Sequence, residues 1–417
     1  MFSLGALPIA ASAIALAIGV SPASALTWTP PLQLPGRYID VDATDAPPVA
    51  ANTRGDVVAS WIGPRGNVVA VGNRTRGFSK PVDLPALLGE PTVAIGPNGG
   101  AIVGWTSAGD DAHAFYATLS SSGRRGAAQR IDAKSVITED TVFAAQPDGS
   151  FLVVYHATDH GGEGRTTLRA LRIARNGHAG RPAIVSAVPR FDDDDYELTG
   201  ASTVDGRLFV CCGRTASGRT LGWRYAPRKG WASMSFKMSA HEHRGALATS
   251  AGLTLATNTD ARKAAFGVPA LELLRAGSVR RVLVDVPHPT TTAVKAGTID
   301  AHGRPLVTYA DGGQLYGVSL DAQDMPGRPT PLGPVPSDPE RDSGFAQPVA
   351  AAWHAGALVA WVDQDHWRVA TERDGVFAAA SAPSGVVAST RLATAGGAAV
   401  LSWYDHNHHA FVSIARP

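Results

Sequence analysis

The sequence predicts an all-β fold made of repeated units, and two observations carry this prediction. The first is a phrase that occurs eight times: a turn ending in Gly, followed by an apolar run that in most copies closes on an aromatic residue. The second is spacing, because the copies recur about every 49 residues. A β-rich period of this size is typical of a β-propeller with one four-stranded blade per copy. The copies are Gly55–Trp61, Gly99–Trp105, Gly149–Tyr155, Gly206–Cys212, Gly252–Asn258, Gly303–Tyr309, Gly356–Trp361 and Gly397–Trp403.

Each unit is interpreted as four strands, A to D, and the second unit shows the pattern. Its strands are predicted at Pro91–Ile95, Ala101–Thr106, Ala112–Leu119 and Ala127–Asp132, with the tight turn Gly96-Pro97-Asn98-Gly99 between A and B. We predict a single eight-bladed propeller, with a seven-bladed ring as the alternative. The blades are placed near 47–85, 90–132, 141–186, 197–239, 244–286, 294–333, 346–382 and 386–417 plus 27–34.

Strand B also predicts how neighbouring blades pack. A small residue, such as Ser60, Gly104 or Ser402, stands one step before the terminal aromatic position. Because side chains alternate along a strand, the small and the large residue lie on opposite faces of the sheet. We therefore expect large side chains of one blade to meet small residues of the next.

The two chain ends predict how the ring closes. The last unit stops one strand short, after strand C at Ala410–Ile414. Residues 27–35, TWTPPLQLP, match the pattern of residues 77–85, GFSKPVDLP, which form strand D of the first unit. We expect residues 27–34 to supply the missing outer strand, which would cover an open sheet edge and tie both termini together.

The first 25 residues resemble an export signal. They contain no charged side chain, carry an apolar run from Leu7 to Val20, and end in Ala23-Ser24-Ala25, an A-x-A cleavage pattern. The run is too short for a membrane span. We predict a signal peptide at 1–25, a propeller domain at 26–417, and a secreted or periplasmic protein without a membrane span.

Composition excludes some partners. The chain has 417 residues, of which 44% are apolar and 18% charged, with a formal net charge of +1. This is enough apolar sequence for a large core, and the near-neutral balance gives no field that favours nucleic acid. We expect a monomer that binds no nucleic acid and needs no cofactor.

The Pro-Asp-Gly turn at 147–149, followed by an apolar strand, resembles the repeats of secreted bacterial propellers of the TolB-like and WD40-like groups. The resemblance covers nearly the whole of residues 26–417 and implies architecture only. The Trp-Asp dipeptide of WD40 blades, the Ser-x-Asp-x-Gly-x-Thr-Trp box of sialidase propellers and the tryptophan-docking motif of quinone-dependent dehydrogenases are missing from the sequence. No activity of those groups is therefore carried over.

Propeller geometry sorts the loops into two faces, and the sequence gives them different chemistry. The A–B turns and C–D loops share one face, where the C–D loops collect Arg, for example Arg124 and Arg125. The B–C and D–A loops share the other face, which collects acids and His. Because function usually resides in loops on a rigid scaffold, we favour the second face over the Arg face, although solvated polar loops would give the same composition. The candidate binding residues are Asp110, His113, His156, Asp159, His160, Asp260, Asp311, Asp363, Asp365, His366, Trp367, Asp405, His406 and His408.

Two clusters invite a metal hypothesis. Asp405-His406-Asn407-His408-His409 contains imidazoles that suit Zn²⁺ or Cu²⁺ if Asp363 or His366 joins them, but its spacing is equally that of a polar hairpin loop, which we favour. The acids Asp192–Asp195 suit Ca²⁺, yet they lack the spacing and Gly of calcium loops. We therefore predict no metal site. Trp367 either stacks on a sugar or packs as part of strand C.

Cys211 and Cys212 are adjacent in the fourth copy. In a regular strand they point to opposite faces, so a disulfide between them would bend the strand. We favour two buried thiols over a strained disulfide, although exported proteins usually avoid free thiols.

Two functions are consistent with these observations. The first is a non-enzymatic binding or scaffolding propeller whose protein or glycan ligand meets the B–C/D–A face. The second is a carbohydrate-active enzyme, a glycosidase or lyase, that uses carboxylates and His of the same face, with or without a cation. Sequence motifs for nucleophilic, zinc-hydrolase or phosphate chemistry are missing from the chain.

Overall fold

The computed structural model describes residues 26–35, 46–63, 66–85, 88–106, 113–132, 136–159, 166–187, 196–202, 205–214, 220–236, 243–248, 252–258, 269–275, 278–284, 293–300, 302–335, 348–353, 356–395, 398–407 and 409–416. These residues form β-strands joined by turns. Within them no helix is long and apolar enough to cross a membrane. The proposed signal peptide at 1–25 and the acids 192–195 lie outside the described residues.

The strands form antiparallel sheets, numbered here in chain order, each built mostly from consecutive strands. The chain begins with β1 (Thr27–Trp28) and β2 (Leu32–Gln33), which join the last sheet. Sheet 1 contains β3 (Val49–Ala51), β4 (Asp56–Gly63), β5 (Gly66–Asn73), β6 (Gly77–Phe78) and β7 (Val82–Asp83). Sheet 2 contains β8 (Leu88–Ile95), β9 (Ala101–Thr106), β10 (Ala114–Leu119) and β11 (Gln129–Arg130). Sheet 3 contains β12 (Val136–Ala145), β13 (Phe151–Asp159), β14 (Thr167–Ile173) and β15 (Ala183–Ala187). Sheet 4 contains β16 (Tyr196–Ser202), β17 (Leu208–Arg214), β18 (Thr220–Ala226) and β19 (Gly230–Phe236).

The second half of the chain continues the same order. Sheet 5 contains β20 (His243–Ala248), β21 (Gly252–Asn258), β22 (Pro269–Arg275) and β23 (Ser278–Leu283). Sheet 6 contains β24 (Ala293–Ile299), β25 (Pro305–Asp311), β26 (Gln314–Ser319) and β27 (Thr330–Pro334). Sheet 7 contains β28 (Val349–Trp353), β29 (Gly356–Asp363), β30 (His366–Arg373) and β31 (Val376–Ala380). Sheet 8 contains β32 (Ser389–Ala395), β33 (Ala398–Tyr404), β34 (Ala410–Arg416) and the N-terminal strands β1 and β2.

The fold is all-β and of the β-propeller type. Every copy of the repeated phrase supplies the second strand of a sheet, as the sequence predicts. The first strand of each sheet contacts the first strand of the next, and β32 of sheet 8 contacts β3 of sheet 1. This arrangement places the hairpin turns of successive sheets side by side on each face.

The N-terminal strands pair with the end of the chain, which confirms the predicted closure. Thr27 and Trp28 lie opposite Arg416 and Ala415, and Leu32 lies opposite Val412. The outer edge of sheet 1 is built in the same broken way, from the two short strands β6 and β7. The matched sequence pattern therefore reflects a shared structure, in which the chain leaves the sheet at the prolines and returns to it.

The packing between sheets also follows the prediction. Gly104 of β9 faces Phe143 of the next sheet so closely that an added Cβ would lie 2.2 Å from the Phe143 ring. On the opposite side, the terminal aromatic of strand B packs on the preceding sheet: Trp403 is buried with Leu358 and Trp367 of sheet 7. The small residue is thus required by a neighbour's ring.

The repeated Gly has a conformational reason. Gly99 has a φ of 81°, and its N–H donates to the Gly96 carbonyl at 3.0 Å, while the Gly96 N–H donates to Gly100 O at 2.7 Å. This left-handed position suits Gly because it has no Cβ. Equivalent glycines have the same φ to within a degree: Gly55 (80°), Gly149 (81°), Gly206 (81°) and Gly303 (81°).

The adjacent cysteines lie in β17, but the strand is not regular there. The pairing register with β18 shifts between Cys211 and Gly213. The backbone therefore departs from regular strand pairing at Cys212. Their side chains lie outside the described part of the structure, so both redox interpretations stay open.

Candidate functional site

The structure describes some of the predicted site residues and not others. Asp110, His160, Asp260 and His408 lie outside the described residues, and the side chain of Asp159 does as well. The other nine are Asp405, His406, His113, His156, Asp311, Asp363, Asp365, His366 and Trp367.

Several predicted loop residues lie in strands instead. His156 and Asp159 belong to β13 and Asp363 to β29, whereas His366 and Trp367 begin β30. Asp311 likewise ends β25. Apart from Trp367, for which strand C was one of the two interpretations, the placement of these residues in loops was wrong because the hairpins run further, and the turn of sheet 7 takes only two residues between Asp363 and His366. His156, Asp311 and Asp363 are consequently buried.

Trp367 packs in the core. Only 4% of its surface is exposed, and its ring meets Trp403 edge-on at a centroid distance of 5.7 Å. Of the two interpretations of this residue, packing as part of strand C is therefore the one observed. The ring has no free face for a sugar.

The Arg face uses much of its charge to hold turns. Arg76 pairs with Asp56 at 3.5 Å and Arg172 pairs with Asp148. A hydrogen bond from the Ser150 hydroxyl, with Arg172 nearby, lowers the pKa of Asp148 despite partial burial. Arg304 reaches Asp300 at 2.6 Å. These carboxylates belong to A–B turns, so the arginines stabilise the hairpins rather than standing free for a ligand.

The Asp405–His409 loop is ordered by its own aspartate. The N–H groups of Asn407 and His409 donate to Asp405 Oδ1 at 2.9 Å and 2.8 Å, and His409 Nδ1 lies 3.3 Å from Oδ2. Asp300 accepts from the amides two and four residues ahead in the same way. Asp405 is thus an Asx-type turn former, as the polar-loop interpretation expects.

In the described residues no group of three or more His, Cys, Asp and Glu side chains is placed to hold a metal ion. The Asp405 carboxylate already accepts two amides and faces His409, so it has little capacity left for a cation. His406 points away from that pair and lies half exposed.

The hairpin turns of sheets 6 and 7 form a matched pair with one decisive difference. In sheet 6 the turn between Asp311 and Gln314 is Gly312-Gly313, with φ of 58° and 79°. In sheet 7 the same two positions carry Gln364 and Asp365, with φ of 46° and 65°. Left-handed φ at both central residues defines the type I′ turn, which favours Gly. A residue with a Cβ there costs about 1 kcal/mol, and less when it is Asp or Asn, so the cost falls mainly on Gln364.

The strained turn projects side chains toward sheet 8. Asp365 Oδ1 lies 3.4 Å from His406 Nε2 of the next loop, and both side chains are about half exposed. The Asp365 carbonyl accepts the N–H of Val387 at 3.1 Å, which fixes the connection between sheets 7 and 8 against the turn. We call the surface formed by Gln364, Asp365, His366, Val386 and His406 the sheet 7–8 patch.

Asp363 supports this patch from below. Arg368 donates to Asp363 Oδ2 through Nε at 3.1 Å and Nη2 at 3.0 Å. Asp363 is nearly buried while Arg368 is more than half exposed. The pair therefore satisfies the carboxylate at the base of the turn and leaves one edge of the guanidinium at the surface.

A second polar group lies between sheets 2 and 3. The buried Tyr155 hydroxyl donates to Asp132 Oδ2 at 2.8 Å, and Arg169 Nη1 reaches the same oxygen at 2.8 Å. Burial, together with the Asp132 carboxylate, raises the pKa of Tyr155 far above its ordinary value. Nearby in sequence, Arg130 Nη2 donates to His113 Nδ1 at 2.5 Å. The contacts of Asp132 with Tyr155 and Arg169 thus connect sheets 2 and 3.

Sequence reasoning missed Gln364 and Val386. The signal for Gln364 was present in the repeat: aligned on Asp311 and Asp363, one unit has Gly-Gly where the other has Gln-Asp. Val386, 42% exposed, carries no polar signal and is recognised only through its position beside His366.

Comparisons with known proteins give fold-level similarity only. No family model matches the chain, and the search of curated proteins found no match. Solved structures do match, at low identity. A prolyl endopeptidase aligns with a TM-score of 0.49 and 12% sequence identity. The alignment covers 88% of this chain but only 55% of the endopeptidase. The BP39L lectin from Burkholderia pseudomallei aligns with a TM-score of 0.46 and 14% sequence identity, and the alignment covers 90% of this chain and 96% of the lectin. The polysaccharide lyase Uly1 aligns with a TM-score of 0.46 and 11% sequence identity, and the alignment covers 92% of each chain. The matched proteins are of the β-propeller type.

Proposed function

We propose that the chain is a single eight-bladed β-propeller in which sheets 1 to 8 are the blades. The contacts between first strands and the pairing of β1 and β2 with β34 support this ring. We further propose that residues 1–25 direct export, so that the mature monomer acts in the periplasm or outside the cell. The A-x-A pattern at Ala23–Ala25 supports that part of the proposal.

Its proposed role is non-enzymatic binding of a protein or glycan at the B–C/D–A face, centred on the sheet 7–8 patch. The observation that carries this role is the turn of Gln364 and Asp365. A local cost of this kind persists where the side chains are needed, and such positions cluster at binding sites. The equivalent Gly312-Gly313 turn supports the argument, because it makes the same connection without the cost.

The chemistry of the patch suits a hydroxyl-rich or amide-rich ligand. Gln364 offers an amide, Asp365 accepts hydrogen bonds, and His366 and His406 offer ring nitrogens at an exposed surface. Val386 adds an exposed apolar contact beside them. A few directed polar groups next to an apolar surface are what recognition of a sugar or a peptide requires.

The test is binding of the labelled protein to an array of neutral and acidic oligosaccharides. Asp365→Lys should weaken every positive signal at least tenfold, which corresponds to about 1.4 kcal/mol. Arg124→Glu, on the exposed surface of the opposite face, is the matched charge reversal and should leave the signals unchanged. Equal loss in both variants, or no binding by the unmodified protein, would contradict glycan binding at this patch.

A carbohydrate-active enzyme is the second candidate. The observation that favours it is the approach of Asp365 to His406 at 3.4 Å, because a carboxylate beside an imidazole is an arrangement used in general acid–base catalysis. Incubation of array-positive oligosaccharides with the protein, followed by mass spectrometry of the products, separates the two roles. Cleavage that His406→Ala abolishes would support the enzyme, whereas intact ligand would support the binder.

A further inference from the structure

A buried charged cluster lies on the opposite face, where sheets 6 and 7 meet. Its members come from three places: the A–B turn of sheet 6 with Asp300 and Arg304, the end of β26 with Ser319, and the end of β30 with Glu372. Glu372 is only 2% exposed. Neither the sequence patterns nor the proposed binding role assigns any function to this group.

The hydrogen bonds of the cluster satisfy its members unequally. Arg304 donates to Asp300 through Nε at 2.6 Å, and its Nη1 reaches Asp374 at 3.1 Å. Glu372 Oε1 accepts the N–H of Gly375 at 2.6 Å. In the described part of the chain, Glu372 Oε2 is buried without a hydrogen-bond partner.

The charges do not balance if every acid is ionised. Among the residues that the structure describes, Asp300, Glu372 and Asp374 face one enclosed cation, Arg304, whose guanidinium is directed at the two aspartates. Two other basic groups lie nearby, but both are exposed. Arg373 lies 3.8 Å from Asp374, and His302 lies in the turn between Asp300 and Arg304. A buried carboxylate with one unpaired oxygen beside another carboxylate is costly in its charged form and cheap as the neutral acid.

We propose that Glu372 is held as the neutral acid and that its proton couples the contact between sheets 6 and 7 to pH. The neutral acid has an O–H at the atom that otherwise lacks a partner. Burial, aided by the charge of Asp300, raises the pKa of Glu372, and it outweighs the Gly375 amide, Arg304 and Ser319, which act in the other direction.

The direction of the pH effect follows from linkage. Because the pKa of Glu372 is higher in the folded state than in the unfolded chain, the folded state binds more protons once pH exceeds the ordinary Glu value. The contribution of Glu372 to stability is therefore present below the ordinary pKa of Glu and is lost as pH rises through its raised pKa in the folded state. Asp148 behaves in the opposite way, since its lowered pKa gives a contribution that is fully present at neutral and higher pH and is lost only in acid.

The experiment compares melting temperatures of the full chain, Glu372→Gln and the control Asp148→Asn from pH 5 to pH 9. Gln is a neutral isostere of the protonated acid, so the variant should match the unmodified protein at pH 5. At pH 9 the melting temperature of Glu372→Gln should exceed that of the unmodified protein by about 1–3 °C. The difference between Asp148→Asn and the unmodified protein should stay constant over the same range, because Asp148 is already ionised at pH 5.

Two results would overturn the proposal. One is a Glu372→Gln difference that is flat or falls with pH, which means that the ionised carboxylate is the stabilising form. The other is a Glu372→Gln protein that fails to fold, since a site built for a neutral acid must accept a neutral amide of the same shape. Glycan binding does not enter this test, so it is independent of the proposed function.

Discussion

The hairpin turns of sheets 6 and 7 make the same connection with different residues. Both connect strands B and C through two left-handed residues, yet one uses Gly312-Gly313 and the other Gln364-Asp365. The first has no side chains to offer and no strain. The second carries strain and places two side chains at the surface, one of them 3.4 Å from His406. On the opposite face, charged residues such as Asp300 and Arg304 are enclosed and paired, and they hold the turns.

The largest expected effect concerns the N-terminal strands β1 and β2, which complete sheet 8. Deleting residues 26–35 removes β1 and β2 from the outer edge of sheet 8 and takes the buried Leu34 with them. An exposed sheet edge and a lost apolar contact should lower the melting temperature by well over 10 °C, or prevent folding, since a buried Leu alone contributes several kcal/mol. Thermal unfolding followed by circular dichroism measures this.

The deletion also sharpens the comparison between the two turns. His406 belongs to sheet 8, whereas Gly312 and Gly313 lie in sheet 6, away from the deleted strands. Protection of amide hydrogens from exchange should therefore fall first in sheet 8. A melting temperature within a degree of the full chain would contradict the role of residues 27–34 in closing the sheet.

The next effect tests the stabilising face. Asp300→Ala leaves Arg304 without its buried partner and should cost about 3 kcal/mol of unfolding free energy, measured by urea denaturation. Asp321→Ala is the matched control, because Asp321 also accepts the amides two and four residues ahead. Asp321 is exposed and, among the described residues, bonds no buried cation. It should cost about 1 kcal/mol. Equal losses would mean that the ion pair adds nothing to the turn.

The third effect exchanges the two turns. Replacing Gln364 and Asp365 with Gly should raise the unfolding free energy by up to about 1 kcal/mol, mainly because the left-handed position of Gln364 loses its strain. The same change should weaken ligand binding on the oligosaccharide array. A gain in stability with a loss of binding is the expected trade-off at a functional site.

The reverse exchange is the control for this pair. Gly312→Gln with Gly313→Asp should lower stability by a similar amount and leave binding unchanged, since this turn lies in sheet 6, outside the sheet 7–8 patch. If both exchanges changed stability but neither changed binding, the strain at 364–365 would have no connection with recognition.

Sequence patterns predicted most of the scaffold for a physical reason. Five of the repeated glycines, Gly55, Gly99, Gly149, Gly206 and Gly303, adopt a φ of 80–81° in the A–B turn, so Gly recurs there and marks the strand that follows. The closing strand was predictable because residues 27–35 and 77–85 share a sequence pattern that includes the prolines. Both segments form two short strands at the outer edge of a sheet. The register of strand B was predictable because Gly104 must accommodate a neighbour's Phe143.

The patch was less predictable because it depends on the lengths of hairpins. His156 and Asp363 look like loop residues, yet His156 lies within β13, Asp363 ends β29, and both are buried. Trp367 stands outside the repeated aromatic position and still packs against Trp403. Composition pointed to Asp365, His366 and His406, and the structure places Asp365 beside His406. Only the pairing register reveals that Gln364 and Asp365 occupy the positions that hold Gly312 and Gly313 in sheet 6.

The smallest expected effect concerns the contact across the patch. His406→Ala should change the unfolding free energy by less than about 0.5 kcal/mol, because the facing groups of Asp365 and His406 are about half exposed and screened by solvent. Binding on the array should nevertheless fall, since His406 contributes one of the exposed ring nitrogens. The Asp365 turn itself stays ordered by the Val387 amide, which does not depend on His406. A variant that loses stability and binding in equal measure would show that His406 supports the fold, and the patch would then be no more than a well-packed connection between two sheets.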